Sequence, residues 1–131
     1  MFTKTIDVRT RGRDELVDIT DQGAQAVRES GVADGVATVY VPHTTAGVTI
    51  NENADPDVAR DIRNHLNHLV PAGAGYAHVE GNSDAHIKSS LLGPSLVLIV
   101  SGGRPVLGTW QAIYFCEGDG PRRRKVHVAV R

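Results

Sequence analysis

The sequence has one cysteine, no excess of either charge and no long apolar run. Cys116 is the only cysteine among 131 residues, which excludes an intrachain disulfide and any zinc or iron–sulfur site made of several cysteines. No apolar run approaches the roughly 20 residues that a membrane-spanning helix needs. The first residues, Met-Phe-Thr-Lys-Thr-Ile-Asp-Val, lack the basic and apolar regions of a secretory signal, so we expect a cytoplasmic protein with no membrane partner.

The charge balance and the missing motifs exclude further classes. Fourteen Lys and Arg face fifteen Asp and Glu, a formal net charge of -1, so there is no overall field to attract nucleic acid. The chain contains no Gly-x-x-x-x-Gly-Lys loop and no Gly-x-Gly-x-x-Gly after a first strand, so a common nucleotide-binding fold is disfavoured. Its length fits a single domain over residues 1–131 with a core large enough to fold without a metal.

The side-chain patterns predict an α+β fold. Alternating and β-branched stretches predict two strand pairs, over residues 2–20 and 35–50. Capping residues and glycine or proline stops predict two main helices, 21–30 and one from Asp55-Pro56 to Pro71, and a short helix ending at Leu92. Three strands follow, of which 95–101 is continuously apolar and is predicted to be buried on both faces. This order favours mainly antiparallel β-sheets.

Ionisable groups crowd between Tyr76 and Lys88, around the predicted start of the short helix. A helix N-terminus has unsatisfied N–H donors and positive dipole, so the segment suits a metal, an anion or both through His78, Glu80, Asn82, Asp84 and His86. His43 follows a strand and Pro42 and offers a third imidazole. The alternative for each histidine is a hydrogen bond to backbone alone. We interpret the other three as packing or surface residues: His65, His68 and His127.

Four further residues are candidates for a site. Glu52, between two asparagines at a strand–helix junction, suits general acid–base chemistry or is simply a solvated glutamate. Lys88 suits a substrate phosphate, although exposed cations are usually solvated. Trp110 and Gln111 suit a pocket wall or an interface, with core packing as the alternative for Trp110.

Four segments of the chain resemble the YjbQ-like family, also described as secondary thiamine-phosphate synthases. They are His43-Thr44-Thr45-Ala46-Gly47, Ile50-Asn51-Glu52-Asn53-Ala54-Asp55-Pro56, Ala85-His86-Ile87-Lys88-Ser89-Ser90-Leu91-Leu92-Gly93 and Leu107-Gly108-Thr109-Trp110-Gln111. The resemblance implies a sandwich of two sheets with helices, a homotrimer, and a metal or anion near the histidines. It also implies the joining of hydroxymethylpyrimidine diphosphate to a thiazole phosphate with release of diphosphate.

The resemblance and the residue chemistry together predict a site. We expect a divalent metal, with zinc as the first choice, on His43, His78 and His86, where it would stabilise the departing diphosphate of a phosphorylated substrate. Predicted catalytic residues are Glu52, His86 and Lys88, and predicted substrate- or anion-binding residues are Asn51, Asn82, Ser83, Trp110 and Gln111. Two alternatives stay open: a trimeric module that binds a small anion or metal without turnover, and a hydrolase that uses zinc-bound water. The apolar strand 95–101 and Trp110 favour a homotrimer with the histidines near a subunit boundary.

Overall fold

Apart from one short strand, Arg104–Pro105, the strands and helices form close to where the side-chain patterns predict them. The structure is a computed structural model that describes all 131 residues, and the predicted α+β class is confirmed. Its elements are β1 (Phe2–Arg9), β2 (Glu15–Asp18), α1 (Thr20–Ser30), β3 (Gly35–Tyr40), β4 (Ala46–Glu52), α2 (Pro56–Leu69), α3 (Ser83–Leu92), β5 (Ser95–Ser101), β6 (Arg104–Pro105), β7 (Gln111–Glu117) and β8 (Arg123–Val130). None of the helices is long and apolar enough to cross a membrane, and a cytoplasmic location stays a prediction.

Two antiparallel sheets enclose the core. The large sheet has the strand order β1-β8-β3-β5-β6, and the small sheet has the order β2-β7-β4. Because side chains alternate along a strand, each sheet turns one face inward. The inner faces and α1 bury a continuous cluster that includes Val39, Val128, Ile113 and Phe115.

The other face of the small sheet is covered by helices. Gly47 of β4 lets α3 approach closely, because a Cβ there would lie 2.9 Å from the carbonyl oxygen of Gly93. The N–H of Val48 donates to that same carbonyl at 3.1 Å, and Ser89 Oγ donates to the carbonyl of Ala46 at 2.7 Å. The end of α3 is therefore fixed on β4, and this contact determines where its start lies.

The strand 95–101 differs from its prediction. Leu98 and Val100 face the core, but Val97 and Ile99 are 65% and 63% exposed. The reason is that no helix packs on the outer face of the large sheet, so half of this apolar strand faces solvent in a single chain. Two-residue strand β6, which was not predicted, pairs with the end of β5 after the Gly102-Gly103 turn.

Candidate functional site

A buried cluster of four charges holds the start of α3. Asp84 is 1% exposed and accepts two hydrogen bonds from Arg13, both at 2.9 Å. Lys88 Nζ, one turn along the helix, lies 3.6 Å from Asp84 Oδ2 and 3.2 Å from Asp14 Oδ1, and also donates to Asn67 Oδ1. Two cations thus balance two carboxylates, which is what makes burial of these groups tolerable. The hydrogen bonds from Arg13 hold the pKa of Asp84 below its usual range.

A second buried pair lies beside the first cluster. Arg124 Nε donates to Glu117 Oε1 at 2.8 Å, a second guanidinium nitrogen contacts Glu117 Oε2, and that nitrogen also donates to Thr45 Oγ1 at 2.8 Å. Thr10 Oγ1 donates to Glu117 Oε1 at 2.8 Å. Burial by itself raises the pKa of Glu117, but these hydrogen bonds, with that of Arg124 foremost, lower it below its usual range. The pair ties the start of β8 to the end of β7.

The turn between β7 and β8 presses against the first turn of α3. A Cβ on Gly118 would lie 3.0 Å from the carbonyl oxygen of Thr45 and 3.2 Å from Ala85 Cβ, so this position has no room for a side chain. Asn82, just before the helix, donates to Asp119 Oδ2 at 3.0 Å, and Arg122 donates to the same oxygen at 3.0 Å. These contacts fix the direction in which the start of α3 points.

Two imidazoles meet at this fixed helix start. The ring centroids of His78 and His86 are 5.5 Å apart and the rings are nearly perpendicular, at 84°. His78 is exposed, His86 is half-buried, and neither ring forms a hydrogen bond within the chain. The hydroxyl of Ser83 forms none either, and no side chain caps the N-terminus of α3. The ring nitrogens, this hydroxyl and the N–H groups of Ser83 and Asp84 therefore have no partner in the chain, whereas the N–H groups of Ala85 and His86 donate to the carbonyl of Asn82.

His43 is held on β8. Its Nε2 accepts a hydrogen bond from the backbone N–H of Lys125 at 2.9 Å, which assigns the proton of the neutral ring to Nδ1. Burial, and then the neighbouring charge of Arg124, lower the pKa of His43 and keep the ring neutral. Nε2 is thus not free to bind a metal. No group of three or more metal-ligating side chains occurs in the chain, so His43, His78 and His86 do not form the predicted metal site in one subunit.

A second group of predicted residues lies at the far end of the small sheet. Glu52 pairs with Gln111 at one end of the β4–β7 ladder, whereas Ala46 pairs with Glu117 at the other. Six residue steps of extended chain separate the two ends by about 20 Å. Trp110 is 62% exposed at this far end, next to Gln111, while Asn51 lies one residue before Glu52. The structure therefore does not bring Asn51, Glu52, Trp110 and Gln111 to the histidines within one chain.

The remaining predicted residues are tied into the buried clusters. Lys88 is 6% exposed and its ammonium contacts three acceptors within the protein, so its charge is already balanced there. Asn82 is bound to Asp119 through its amide nitrogen. Its buried amide oxygen has no partner in the chain. Among the residues predicted to act at the helix start, Ser83, His78 and His86 also keep polar side-chain atoms without a partner.

Sequence reasoning missed four ions of these clusters, the half-buried Arg13 and Asp14 and the buried Glu117 and Arg124. Arg13 and Asp84 are 71 positions apart, so no spacing rule links them. One signal was present for Arg124, which shares the inward phase of Val126, Val128 and Val130 on β8 and so occupies a core position. Cys116 is buried as predicted, and burial raises the pKa of its thiol to about 12, which makes it a poor nucleophile.

Comparison with known proteins places the whole chain in one family. The family model described as "UPF0047 protein YjbQ-like" matches residues 4–131. The UPF0047 protein MJ1081 of Methanocaldococcus jannaschii is 58% identical, with 94% of this chain and 89% of that protein covered. The UPF0047 protein YugU of Bacillus subtilis is 49% identical, with 97% of each chain covered.

Solved structures share the fold over almost the full length. A crystal structure of a YjbQ/UPF0047 protein from Clostridium acetobutylicum has a TM-score of 0.96 and 55% identity, covering 98% of this chain and 99% of that one. A crystal structure of a YbjQ-like protein from Sulfolobus solfataricus has a TM-score of 0.95 and 35% identity, covering 98% and 95%. That protein is described as one of unknown function.

These findings correct the predicted activity. The relatives are named for the family and not for a reaction, and nothing in them supports a thiamine phosphate synthase or another transferase. The structure likewise forms no three-ligand metal site in one chain for the predicted zinc. What the match over residues 4–131 and the full-length relatives do establish is membership: the chain belongs to the YjbQ-like UPF0047 family.

Proposed function

We propose that the protein binds a small phosphorylated molecule at the imidazole pair of His78 and His86. The observation that supports this most directly is the pair itself: two rings 5.5 Å apart, without hydrogen bonds to the protein, at the uncapped start of α3. Imidazole N–H groups donate to phosphate oxygens, and a helix N-terminus stabilises negative charge. The hydroxyl of Ser83 adds a further donor at the same place.

The buried charges beside the pair give the ligand site its rigidity. Arg13, Lys88 and Arg124 are each paired with a carboxylate, so they neutralise one another and leave the field at the helix start to the dipole and the imidazoles. Buried ion pairs are weak evidence for stability, but they hold an element in one position. A site held in this way loses little conformational freedom when a ligand binds.

A homotrimer is part of this proposal. Val97, Ile99 and Val106 are each more than half exposed on or next to β5, and Tyr40 on the neighbouring strand β3 is 46% exposed. An exposed apolar face of this kind is typical of a surface that a partner covers. A closed ring of three copies would cover it and would also bring the Trp110 end of one subunit within reach of another.

Calorimetric titration with inorganic phosphate and diphosphate tests the binding proposal. His78→Ala and His86→Ala should each weaken binding by about tenfold or more, because a hydrogen bond to a charged group contributes about 1.5–3 kcal/mol. The matched controls are His65→Ala and His68→Ala, since these rings form another exposed histidine pair, 6.1 Å apart, on α2. Equal loss in all four variants, or no loss in the first two, would rule the site out.

A divalent metal on the same pair is the second candidate. Two open imidazoles supply two ligands, and a neighbouring subunit would have to supply the third. Elemental analysis of untagged protein separates the candidates. Zinc near one equivalent per chain that disappears in His86→Ala would favour the metal and overturn the anion proposal, whereas phosphate binding by metal-free protein would favour the anion.

A further inference from the structure

Two arginines oppose each other at the end of the β1–β8 ladder. Arg9 and Arg123 are register partners, and both side chains are exposed on the outer face of the large sheet. Their neighbours Val8 and Arg124 point inward and are buried. Directly opposite residues have Cβ atoms roughly 5 Å apart, and like charges in that position are destabilising.

Neither guanidinium is neutralised by the protein. No hydrogen bond or ion pair within the chain involves the side chain of Arg9 or Arg123, in contrast with Arg13, Arg122 and Arg124. The nearest pair on this face joins Lys125 to Asp7 at 3.2 Å, with side chains 62% and 86% exposed, and such a pair contributes little. Three cations therefore share one carboxylate, although the chain as a whole carries a formal charge of -1.

These charged residues border a groove at the end of the β1–β8 ladder. Its volume is about 510 Å³ and its walls are formed by Asp7, Val8, Arg9, Arg123, Arg124 and Lys125. This volume lies in the range of small-molecule sites. Protection of a sheet edge is the simplest other reason for charge here, since β1 is an edge strand and β8 pairs with β3 only over residues 127–130, beyond Arg123. It does not explain why two cations stand directly opposite each other, an arrangement that costs free energy.

We infer that this groove is a second anion site, which takes a phosphate or diphosphate group between Arg9 and Arg123. Guanidinium groups match phosphate oxygens in two-pronged geometry, and a doubly negative group balances the two unpaired charges. Lys125 supplies a further cation on the same face. The inference does not depend on the histidine pair, since it shares no residue with it.

Titration of the full chain with inorganic diphosphate tests this inference. The measurement is made at low salt, where exposed charges are least screened, in the wild type and in a His78→Ala/His86→Ala background that removes the first site. Saturable binding should persist in that background. Arg9→Gln and Arg123→Gln should each weaken it by about tenfold or more.

Two control variants distinguish a specific binding site from non-specific attraction to positive charge. Arg104→Gln removes the same charge from β6, at the opposite edge of the large sheet, and should change affinity by less than about twofold. Arg123→Lys keeps the charge but loses the planar fork, so it should weaken binding partially. A nucleoside diphosphate in place of diphosphate shows whether the ligand carries more than the phosphates. Absence of saturable binding, or equal weakening by Arg104→Gln and Arg123→Gln, would overturn the inference.

Discussion

Arg13 and Asp84 form a two-pronged ion pair, with Nη1–Oδ2 and Nη2–Oδ1 distances of 2.9 Å each, between residues 71 positions apart. The pair joins the turn after β1 to the first turn of α3. Asp84 is 1% exposed, whereas the side chain of Arg13 is 40% exposed. The carboxylate is therefore the member that the fold cannot leave unpaired, and Lys88 depends on it as well.

Asp84→Ala should destabilise the protein by about 3 kcal/mol, because the buried Lys88 loses one of its two carboxylates. This cost lies at the lower end of the range for removing one partner of a buried ion pair, because Arg13 can turn toward solvent. The measurement is the free energy of unfolding in urea. Asp57→Ala is the matched control, since Asp57 also pairs with an arginine in the first turn of a helix but is 65% exposed, and it should cost less than about 1 kcal/mol. An equal loss of stability in the two variants would contradict the role of Asp84 as a buried carboxylate that balances Lys88.

Stability should fall steeply at acid pH. The folded pKa values of Asp84, Glu117 and Asp119 lie below their ordinary values of 3.8, 4.5 and 3.8, so the folded state binds fewer protons than the unfolded state in this range. This contribution is fully present above about pH 5 and is lost as pH falls through the depressed folded values. Urea unfolding between pH 7 and pH 2 measures it.

Glu117→Gln isolates the contribution of the Glu117 carboxylate to this acid dependence from that of the other acidic side chains. At acid pH it should reduce the slope of the unfolding free energy against pH by up to about 1.4 kcal/mol per pH unit, the value for one proton. It should also lower stability at pH 7, because Arg124 stays buried without its carboxylate. An unchanged slope would show that the pKa of Glu117 does not differ between the folded and unfolded states.

Gly118→Ala should destabilise the protein by about 1–3 kcal/mol, because the new methyl group would lie 3.0 Å from a backbone oxygen and 3.2 Å from Ala85 Cβ. It should also move the start of α3 and weaken phosphate binding. Gly12→Ala is the control, since its nearest neighbour is at 3.9 Å, and it should be neutral or slightly stabilising. Thermal unfolding and calorimetry measure both effects, and similar melting temperatures for the two variants would contradict the close contact.

Val97→Glu combined with Ile99→Glu should convert the proposed trimer to monomers without unfolding the subunit, because both side chains are already exposed. Light scattering gives the mass and circular dichroism checks the fold. Leu91→Glu, on an exposed apolar position of α3, is the control and should leave the trimer intact. A monomeric wild type at micromolar concentration would contradict the proposal.

Much of the fold follows from local sequence. Asp55 caps α2 by accepting from the N–H of Asp57 at 2.9 Å, as the Asp-Pro pair predicts, because capping involves neighbours in the chain. The end of α3 at Gly93 and the turn at Gly102-Gly103 follow from glycine for the same local reason. The strand 95–101 could not be placed correctly, since its apolar pattern does not reveal whether a second layer covers its outer face.

The candidate site was predictable only in part. The His78–His86 pair lies close to one helix start in the chain, so the crowding of ionisable residues there indicated it. The position of His43 and the separation of Glu52 from the histidines depend on how β4 and β8 pair, which a single sequence leaves undefined.

The sequence by itself determined the family, the α+β class, the approximate positions of the helices and the segment that carries the open histidines, because each follows from short-range patterns or from motifs. Only the tertiary structure decided that Arg13, Lys88 and Arg124 are paired with buried or half-buried carboxylates, that His43 is bound to β8, and that Arg9 faces Arg123. These relationships join residues far apart in the chain, and their free energies depend on burial and distance, which exist only once the sheets have formed.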